Sequence, residues 1–291
     1  MTVQSRVEAA ISSSTEQKAA FAESKTAQGG CINNSQIVTL RDGRQFFVKT
    51  NPESKTRPGL FETEYDALLL LAEPDVIHVP KPIACSDDFI VIETFIEGAP
   101  AADWQEQMGR SLAELHTATK AERFGFDKDN YLGISKQINS WQDDWLSFWR
   151  DQRLGMQLKR LAMITDKNDP LLAKGEKLMS RLESLLGDIE EPAVLLHGDL
   201  WSGNAAANEQ GQPVIFDPAS YYGHREAEIG MMRMFGGFDS KCEAAYAEVW
   251  PLEDGSEQRI SLYRLYHEMN HFILFGYNYY RSCIATMDSL I

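Results

Sequence analysis

Two apolar segments of the chain are each followed by residues whose side chains can be ionised or can bind a metal ion. Leu195-Leu196 leads into His197-Gly198-Asp199, and Asn204 follows that aspartate by five positions. A second apolar run, residues 214–216, ends at Asp217. A carboxylate and an amide oxygen suit Mg²⁺, which prefers hard oxygen ligands and keeps several waters. A further carboxylate that stays off the metal can accept the proton of an attacking hydroxyl.

The chemistry that suits this set is phosphoryl transfer. The reaction moves a polyanion, so the protein contributes mainly positioning and electrostatic stabilisation. The spacing Asp-x-x-x-x-Asn is that of kinase catalytic loops, in which the aspartate serves the nucleophile and the asparagine holds a metal ion. We therefore predict that Asp199 is the general base and that Asn204 and Asp217 are the metal ligands. A lone aspartate after an apolar run is usually a turn residue, but the whole combination is much rarer.

A lysine and a glutamate complete the predicted nucleotide site. Lys49 closes the apolar run 46–48, where a lysine is ordinarily a strand end that reaches water. In a phosphotransferase such a lysine pairs with the nucleotide phosphates and is held by a helical glutamate. The helical stretch 61–71 contains Glu62 and Glu64, and only Glu64 lies on its apolar side, because leucines follow it by four and seven residues. We predict that Glu64 is the partner of Lys49.

Composition narrows the class of protein. The 291 residues are 43% hydrophobic and 24% charged, with a net charge of −15, which is typical of a globular protein with a sizeable core. Neither the first 95 residues nor the remainder is basic, which argues against nucleic acid or an anionic membrane as the main partner. No apolar run approaches membrane-spanning length. We expect neither nucleic-acid nor membrane binding.

The cysteines and the first residues indicate a compartment. Cys31, Cys85, Cys242 and Cys283 are widely spaced and form no C-x-x-C pair, so neither a zinc site nor a disulfide framework is indicated. Residues 1–10 are polar and lack the apolar core of a signal peptide. Both observations favour the cytoplasm.

The order of the predicted elements indicates the fold class. Strands dominate the first third of the chain after a short helix, and helices dominate the rest. Predicted strands cover residues 17–27, 36–40, 45–49, 83–86 and 89–93. Predicted helices cover residues 3–12, 61–71, 104–119, 141–153, 170–186, 242–249 and 258–275. This order predicts an α+β protein with two lobes, a nucleotide-binding lobe over 1–95 and a mainly helical lobe over 96–291.

Two longer motifs give the chain a family resemblance. They are His-Gly-Asp-Leu-Trp-Ser-Gly-Asn at 197–204 and Asp-Pro-Ala-Ser-Tyr-Tyr-Gly-His-Arg-Glu-Ala-Glu at 217–228. With Gly29-Gly30-Cys31-Ile32 and Tyr266-His267-Glu268-Met269-Asn270-His271, they make the chain resemble the fructosamine kinase (ketosamine 3-kinase) family of kinase-like phosphotransferases. The resemblance covers nearly the whole chain. The first motif is shared in outline with aminoglycoside and choline kinases, and the second is the more specific.

The resemblance implies a fold, a reaction and cofactors. The fold would be protein-kinase-like, with a small antiparallel sheet in the first lobe. The reaction would be ATP- and Mg²⁺-dependent phosphorylation of the sugar 3-hydroxyl of ketosamines, a step towards removing glycation. Gly29 and Gly30 would cover the nucleotide with backbone N–H groups. Glu93 and Phe95, in the segment that leaves the sheet, would lie at the adenine edge.

The chain also departs from protein kinases. Gly198 replaces the arginine of their catalytic loop, and Pro218-Ala219 replaces Phe-Gly. Neither a G-x-G-x-x-G loop nor an Ala-Pro-Glu motif is present. We therefore expect no activation loop that is switched by phosphorylation.

The acceptor side is less well determined by the sequence. Trp201, Tyr221 and Tyr222 would supply aromatic faces for a sugar and a cationic amine, although simple packing explains them equally well. His224 and Glu226 follow the metal aspartate in a charged run. Such runs are usually solvated, but this position makes the two residues candidate substrate contacts.

Cys31 is a candidate redox position, because it follows two glycines and lies near the predicted cation sites. The alternative interpretation is that Cys31 is an inert small residue.

Three functions remain open from the sequence. The first is a ketosamine kinase, with ribose-derived amines expected to be at least as good as glucose-derived ones. The second is a kinase of aminoglycosides or other small amino sugars or amino alcohols. The third is an inactive nucleotide-binding scaffold, against which the complete set of predicted residues argues. The sequence determines neither the oligomeric state nor whether the acceptor is free or protein-bound.

Overall fold

A computed structural model describes residues 1–27, 33–51 and 56–291. Its strands, in chain order, are β1 (Phe21–Thr26), β2 (Asn34–Leu40), β3 (Gln45–Thr50), β4 (Pro82–Ser86), β5 (Phe89–Glu93), β6 (Asn130–Leu132), β7 (Ser135–Gln137), β8 (Val194–Leu196), β9 (Ala205–Ala207), β10 (Pro213–Ile215) and β11 (Tyr221–Gly223). Its α-helices are α1 (Val3–Thr15), α2 (Leu60–Ala72), α3 (Trp104–Ala118), α4 (Trp145–Phe148), α5 (Gly155–Ile164), α6 (Pro170–Met179), α7 (Leu182–Leu186), α8 (Glu226–Phe235), α9 (Ser240–Val249), α10 (Ser256–Phe275) and α11 (Tyr280–Leu290).

Residue contacts divide the chain into two units, and each unit consists of two separate stretches of the sequence. The first unit comprises Met1–Trp104 and Gly203–Pro218, and the second comprises Gln105–Ser202 and Ala219–Ile291. Residues 203–218, which the sequence prediction assigned to the second lobe, are thus grouped with the first 104 residues. The predicted lobe boundary at residue 95 stays a prediction. Among the described residues, no helix is both long enough and apolar enough to cross a membrane.

A five-stranded antiparallel sheet forms the centre of the first unit, with strand order β1-β2-β3-β5-β4. The β2–β3 hairpin turns at Asp42-Gly43, and Gly43 donates its N–H to the Leu40 carbonyl at 3.0 Å. Because β3 pairs with β2 on one side and β5 on the other, Lys49 lies opposite Ser35 and Ile90. One face of the sheet is apolar and packs on α1 through Val7 and Ile11.

The helix α2 contributes a buried acidic residue to the first unit. Its buried side includes Phe61, Ala67, Leu68 and Leu71, which recur at helical spacing. Glu64 lies on the same buried side, whereas Glu62 is exposed. The sequence prediction that distinguished these two glutamates is confirmed.

Helices dominate the second unit. The long helix α10 packs against α8, α5 and α11. The contact with α8 is close at Gly230, where a Cβ would lie 2.9 Å from both the Arg264 nitrogen and the Tyr263 Cβ. Two short strand pairs, β6–β7 and β8–β11, lie among the helices. An α+β fold with an antiparallel sheet in one unit and helices in the other confirms the predicted fold class.

Two predicted helices differ from the observed ones. The helix predicted over 141–153 begins only at Trp145, after its N-cap Asp144, and passes through a π-helical segment, Trp149–Leu154, into α5. Residue 142 instead forms an isolated bridge with Phe124. The single helix predicted over 170–186 is divided into α6 and α7 at Ser180-Arg181. Periodicity did not reveal either interruption, because the apolar spacing continues across both.

Candidate functional site

Lys49, Glu64 and Asp217 form a charged triad within the first unit. The Lys49 ammonium lies 2.7 Å from Glu64 Oε1 and 2.5 Å from Asp217 Oδ1. Lys49 and Glu64 are nearly buried, whereas 37% of the Asp217 side chain is exposed. The structure thus brings together three residues that the sequence places far apart.

Burial and charge oppose each other in this triad. Burial alone would lower the pKa of Lys49, but the carboxylates of Asp217 and Glu64 outweigh it, and the net shift is upward. Burial raises the pKa of Glu64 to about 7, with Lys49 opposing that shift and Asp217 adding to it. With one cation between two carboxylates, the triad carries excess negative charge when both acids are ionised. A further cation beside Asp217 would relieve that excess.

Asp217 is held in an unusual backbone conformation. Its φ is +62°, in the left-handed region that residues with a Cβ rarely adopt. Just before it, the Phe216 N–H donates to the Asn204 carbonyl at 3.0 Å, and Asn204 Nδ2 reaches the Asp217 carbonyl at 3.4 Å. These bonds connect Asn204 to the segment that carries Asp217, within the first unit. One carboxylate and one amide provide the hard oxygen donors that Mg²⁺ prefers.

The predicted adenine-edge residues lie at the end of β5 and just beyond it. Glu93 is exposed, and its N–H donates to the Lys81 carbonyl at 2.8 Å. The ring of Phe95 lies 6.0 Å from the rings of both His78 and Phe216. Phe95 therefore packs against the residue that precedes Asp217. Its role towards a nucleotide stays a prediction.

Three predicted positions, Gly29, Gly30 and Cys31, lie outside the described residues. The predicted nucleotide-covering turn and the predicted redox cysteine therefore stay predictions. Cys242 and Cys283, which the structure does describe, are buried thiols.

The predicted base, Asp199, lies in the second unit on a loop that follows β8. His197 is fully buried, and its Nδ1 is 3.3 Å from the Asp199 nitrogen, which donates to it. Gly198 has a φ of +81°, and a Cβ there would lie 2.3 Å from the Ala219 carbonyl oxygen. A glycine is therefore needed where the sequence departs from protein kinases. Asp199 itself is partly exposed.

Trp201 belongs to a row of aromatic rings in the second unit. Its ring lies 5.4 Å from Phe235, which lies 5.0 Å from His271. The row continues to Phe275 and Tyr279, at 5.4 and 5.1 Å from His271. The sequence analysis identified Trp201 but missed Phe235 and Phe275, because their proximity to Trp201 depends on how the helices pack. His271 packs in this row.

The two predicted tyrosines differ in their accessibility. Tyr221 is buried, stacks on Phe148, and lies under the guanidinium of Arg153 at 4.0 Å. Neighbouring side chains therefore cover the ring, and its predicted contact with substrate stays a prediction. Tyr222 is only partly buried and packs on Trp141 and Phe126. Its substrate contact stays a prediction.

His224 and Glu226 occupy a buried polar network in the second unit. His224 Nδ1 lies 2.9 Å from the Tyr263 hydroxyl, and its Nε2 lies 3.0 Å from Glu191. Glu226 is fully buried and accepts two hydrogen bonds from the Arg259 guanidinium, both at 2.7 Å. Both side chains have their partners inside the unit, and their predicted contacts with substrate stay predictions. These two residues of the charged run stabilise the interior of the unit, because each side chain has its hydrogen-bond partners there.

The sequence of the chain is similar to those of known proteins. The fructosamine kinase family model matches residues 3–291. A chloroplastic protein-ribulosamine 3-kinase of Oryza sativa subsp. japonica is 41% identical over 272 residues, which cover 90% of this chain and 77% of the relative. The ketosamine-3-kinase of Mus musculus is 34% identical over 291 residues, covering 90% and 93%.

Solved structures agree at the level of the fold. A Thermobifida fusca structure, provisionally assigned as a fructosamine-3-kinase, is 31% identical with a TM-score of 0.87 and covers 99% of each chain. A choline kinase of Streptococcus pneumoniae is 14% identical with a TM-score of 0.66 and covers 98% of each chain. The second likeness shows a shared fold alone.

Proposed function

Because the chain belongs to the fructosamine kinase family, we propose that it is an ATP-dependent kinase that phosphorylates the sugar 3-hydroxyl of ketosamines. The observation that carries this proposal is the Lys49–Glu64–Asp217 triad, at 2.7 and 2.5 Å. A buried lysine held by a helical glutamate is the arrangement that kinases use for nucleotide phosphates. Membership of a kinase family implies the use of ATP.

The first unit supplies the nucleotide chemistry in this proposal. Lys49 binds the phosphates, and Glu64 orients it. Asn204 and Asp217 would hold Mg²⁺, which would neutralise phosphate charge when bound. The exposed fraction of the Asp217 side chain leaves its carboxylate accessible, and the bonds around Asn204 fix the backbone that carries it.

The second unit supplies the acceptor chemistry. Asp199 accepts the proton of the attacking sugar hydroxyl, or orients that hydroxyl if the transition state is loose. Trp201 and Tyr222 offer partly exposed aromatic faces to the sugar and to its cationic amine. The acceptor is a ketosamine that is either free or attached to a protein. A cytoplasmic location is part of this proposal and depends on the wide cysteine spacing.

The two other functions that the sequence left open are not favoured. Relatives at 34–41% identity carry ribulosamine and ketosamine kinase names. Aminoglycoside kinases share the fold at much lower identity, such as 13% with a TM-score of 0.65 for one aminoglycoside phosphotransferase. An inactive scaffold would have no need of the complete triad.

The test is a comparison of acceptors under fixed ATP and Mg²⁺. We expect phosphate transfer to ribulose-lysine and fructose-lysine, with ribulose-lysine at least as good by kcat/KM, and little transfer to kanamycin. An Asp217→Ala variant serves as the control, because loss of a metal ligand should weaken nucleotide binding as well as turnover. A higher kcat/KM for kanamycin would contradict the ketosamine assignment. No transfer to any acceptor would contradict the proposal as a whole.

A further inference from the structure

The stretch that follows β5, residues 94–101, is bonded to the β9–β10 hairpin, and we call it the exit segment. Glu97 and Asn208 form an antiparallel bridge, and the Gly98 N–H donates to the Ala207 carbonyl at 3.0 Å. The exit segment and the hairpin both belong to the first unit. The chain that leaves the five-stranded sheet is therefore fixed to the end of β9.

Glycines stand where the exit segment and the hairpin approach each other closely. A Cβ on Gly98 would lie 2.5 Å from the Asn208 carbonyl oxygen, which is too short for a real contact. Ala101 donates its N–H to the Gly211 carbonyl at 3.1 Å, and a Cβ on Gly211 would lie 2.9 Å from the Ala101 nitrogen. A side chain at either glycine would therefore push the exit segment and the hairpin apart.

The Asn208 side chain fixes the turn of the hairpin. It is buried, and its Oδ1 accepts the N–H of Gln210 at 3.1 Å and the N–H of Gln212 at 2.9 Å. The backbone closes the same turn, because the Gly211 N–H donates to the Asn208 carbonyl at 2.8 Å. Asparagine suits such a position, since its side chain bonds to backbone groups a few residues further on. The carbonyl that faces Gly98 is thus held from within the hairpin.

The exit segment and the hairpin carry proposed groups for opposite ends of the nucleotide. The exit segment contains Phe95, at the proposed adenine edge. The hairpin is flanked by the proposed metal ligands, with Asn204 immediately before β9 and Asp217 shortly after β10. The ring of Phe95 also lies 6.0 Å from that of Phe216, the residue before Asp217. The bonds between Gly98 and the hairpin therefore connect the proposed adenine edge with the proposed metal ligands.

We propose that Gly98 and Asn208 are positioning residues that set the separation between the adenine edge and the metal ligands. The inference rests on the proposed function, because it assumes that one ATP molecule occupies both places. The two residues act through the exit segment and the hairpin that they hold together. A ligand with two linked parts binds more tightly than either part only when the geometry allows both contacts at once. A displaced exit segment would therefore weaken the binding of ATP more than that of its separate parts.

The test compares ATP with its two parts by isothermal titration calorimetry. Gly98→Ala forces the exit segment away from the Asn208 carbonyl, and we expect the Kd of ATP with Mg²⁺ to rise about tenfold. The Kd of adenosine, and that of inorganic triphosphate with Mg²⁺, should stay within about twofold of the wild type. Asn208→Ala should raise the Kd of ATP by about three- to fivefold, because the turn loses its side-chain acceptor but keeps its backbone bonds. Asn208→Asp retains an acceptor oxygen and should restore the Kd to within about twofold of the wild type.

The matched control is Gly43→Ala, a change of the same kind in the β2–β3 turn. Gly43 has a φ of +90°, and apart from its chain neighbours no heavy atom of the described chain lies within 4 Å of an added Cβ. The control is therefore strained without displacing a neighbouring segment, and we expect a lower melting temperature with all three Kd values unchanged.

Two results would overturn the proposal. One is an equal loss of affinity for ATP and for adenosine in Gly98→Ala, because the effect would then be confined to the adenine edge. The other is an unchanged Kd of ATP in Asn208→Ala, which also decides the matter if Gly98→Ala does not fold. The comparison of ligands requires no turnover, so a wild-type protein that binds ATP but transfers no phosphate would contradict the proposed function instead.

Discussion

The two units of the molecule hold their proposed reactive groups in different ways. In the first, Lys49 is fixed by ion pairs with Glu64 and Asp217, so charge is matched directly with charge. In the second, the loop of Asp199 is fixed by hydrogen bonds between the peptide backbone and Glu228 or Ala219. The triad suits the binding of a polyanion, because a ligand cation or phosphate can replace its internal pairs. The loop suits a proton acceptor, which must keep its position and an accessible carboxylate.

The largest effect that this comparison predicts is that of Asp199→Asn. We expect kcat to fall by about 10² to 10⁴, the usual contribution of a general base, with the smaller value if the transition state is loose. Nucleotide binding should be nearly intact, because its proposed groups lie in the first unit. Turnover with ribulose-lysine and the Kd of ATP provide the two measurements. A similar loss in both quantities would contradict the division of roles.

Lys49→Met should have the next largest effect and should act on nucleotide use. The substitution retains much of the packing but removes a charge that bonds to phosphate. A hydrogen bond to a charged group contributes about 1.5–3 kcal/mol, so we expect kcat/KM for ATP to fall roughly 10- to 100-fold. Circular dichroism should show that the fold is retained. A normal kcat/KM would exclude Lys49 from the site.

Glu64→Gln should act in the same direction but more weakly. Glutamine keeps a hydrogen-bond acceptor for Lys49, and the lysine still has Asp217 as a partner. We expect a loss of about fivefold in kcat/KM for ATP, equivalent to about 1 kcal/mol. Glu62→Gln on the exposed side of α2 is the matched control and should leave the value unchanged. Equal effects from the two variants would show that the loss does not come from orientation of Lys49.

Local sequence pattern predicted most of the first unit. The Asp42-Gly43 turn fixes the β2–β3 hairpin, and that register places Lys49 on the central strand. The i, i+4 and i, i+7 leucines of α2 were enough to choose Glu64 over Glu62. These elements are regular and depend mainly on residues that are close in sequence, so propensity and periodicity describe them well.

The second unit was less predictable, because burial there depends on packing between distant helices. Tyr221, His224 and Glu226 follow Asp217 closely in sequence, and that proximity suggested contact with substrate. Their partners, such as Arg153, Tyr263 and Arg259, come from remote segments that no local pattern identifies. For the same reason the sequence analysis did not identify Glu228, whose two hydrogen bonds to the loop join residues about thirty positions apart.

Substitution of Glu191 has the smallest predicted effect on activity, and it tests whether His224 stabilises the fold or belongs to the acceptor site. Glu191 accepts hydrogen bonds from the Arg225 guanidinium at 2.6 and 2.8 Å and lies 3.0 Å from His224 Nε2. Arg225 is fully buried and also donates to the carbonyls of Trp250 and Pro251. This network contains none of the groups proposed to react, so Glu191→Gln should leave kcat within about twofold of the wild type.

The same substitution should change stability in a way that depends on pH. Burial raises the pKa of Glu191, but the hydrogen bonds from His224 and Arg225 outweigh it and lower the pKa to about 2. Because this pKa lies below the ordinary value of 4.5, the stabilisation is present above pH 4.5 and is lost as the pH falls towards 2. We expect the wild type to exceed Glu191→Gln by up to about 3 kcal/mol in unfolding free energy at neutral pH, and by progressively less below pH 4.5.

Urea unfolding at pH 7, 5, 4 and 3 measures this difference, with the exposed neighbour Glu190→Gln as the control, for which we expect no comparable slope. A stability difference that stayed constant down to pH 3 would show that Glu191 is not held as a carboxylate by His224 and Arg225. A fall in kcat with unchanged stability would indicate that the charged run at 224–228 belongs to the acceptor site. The contrast between a network that stabilises the fold and a loop that positions the base would then no longer hold.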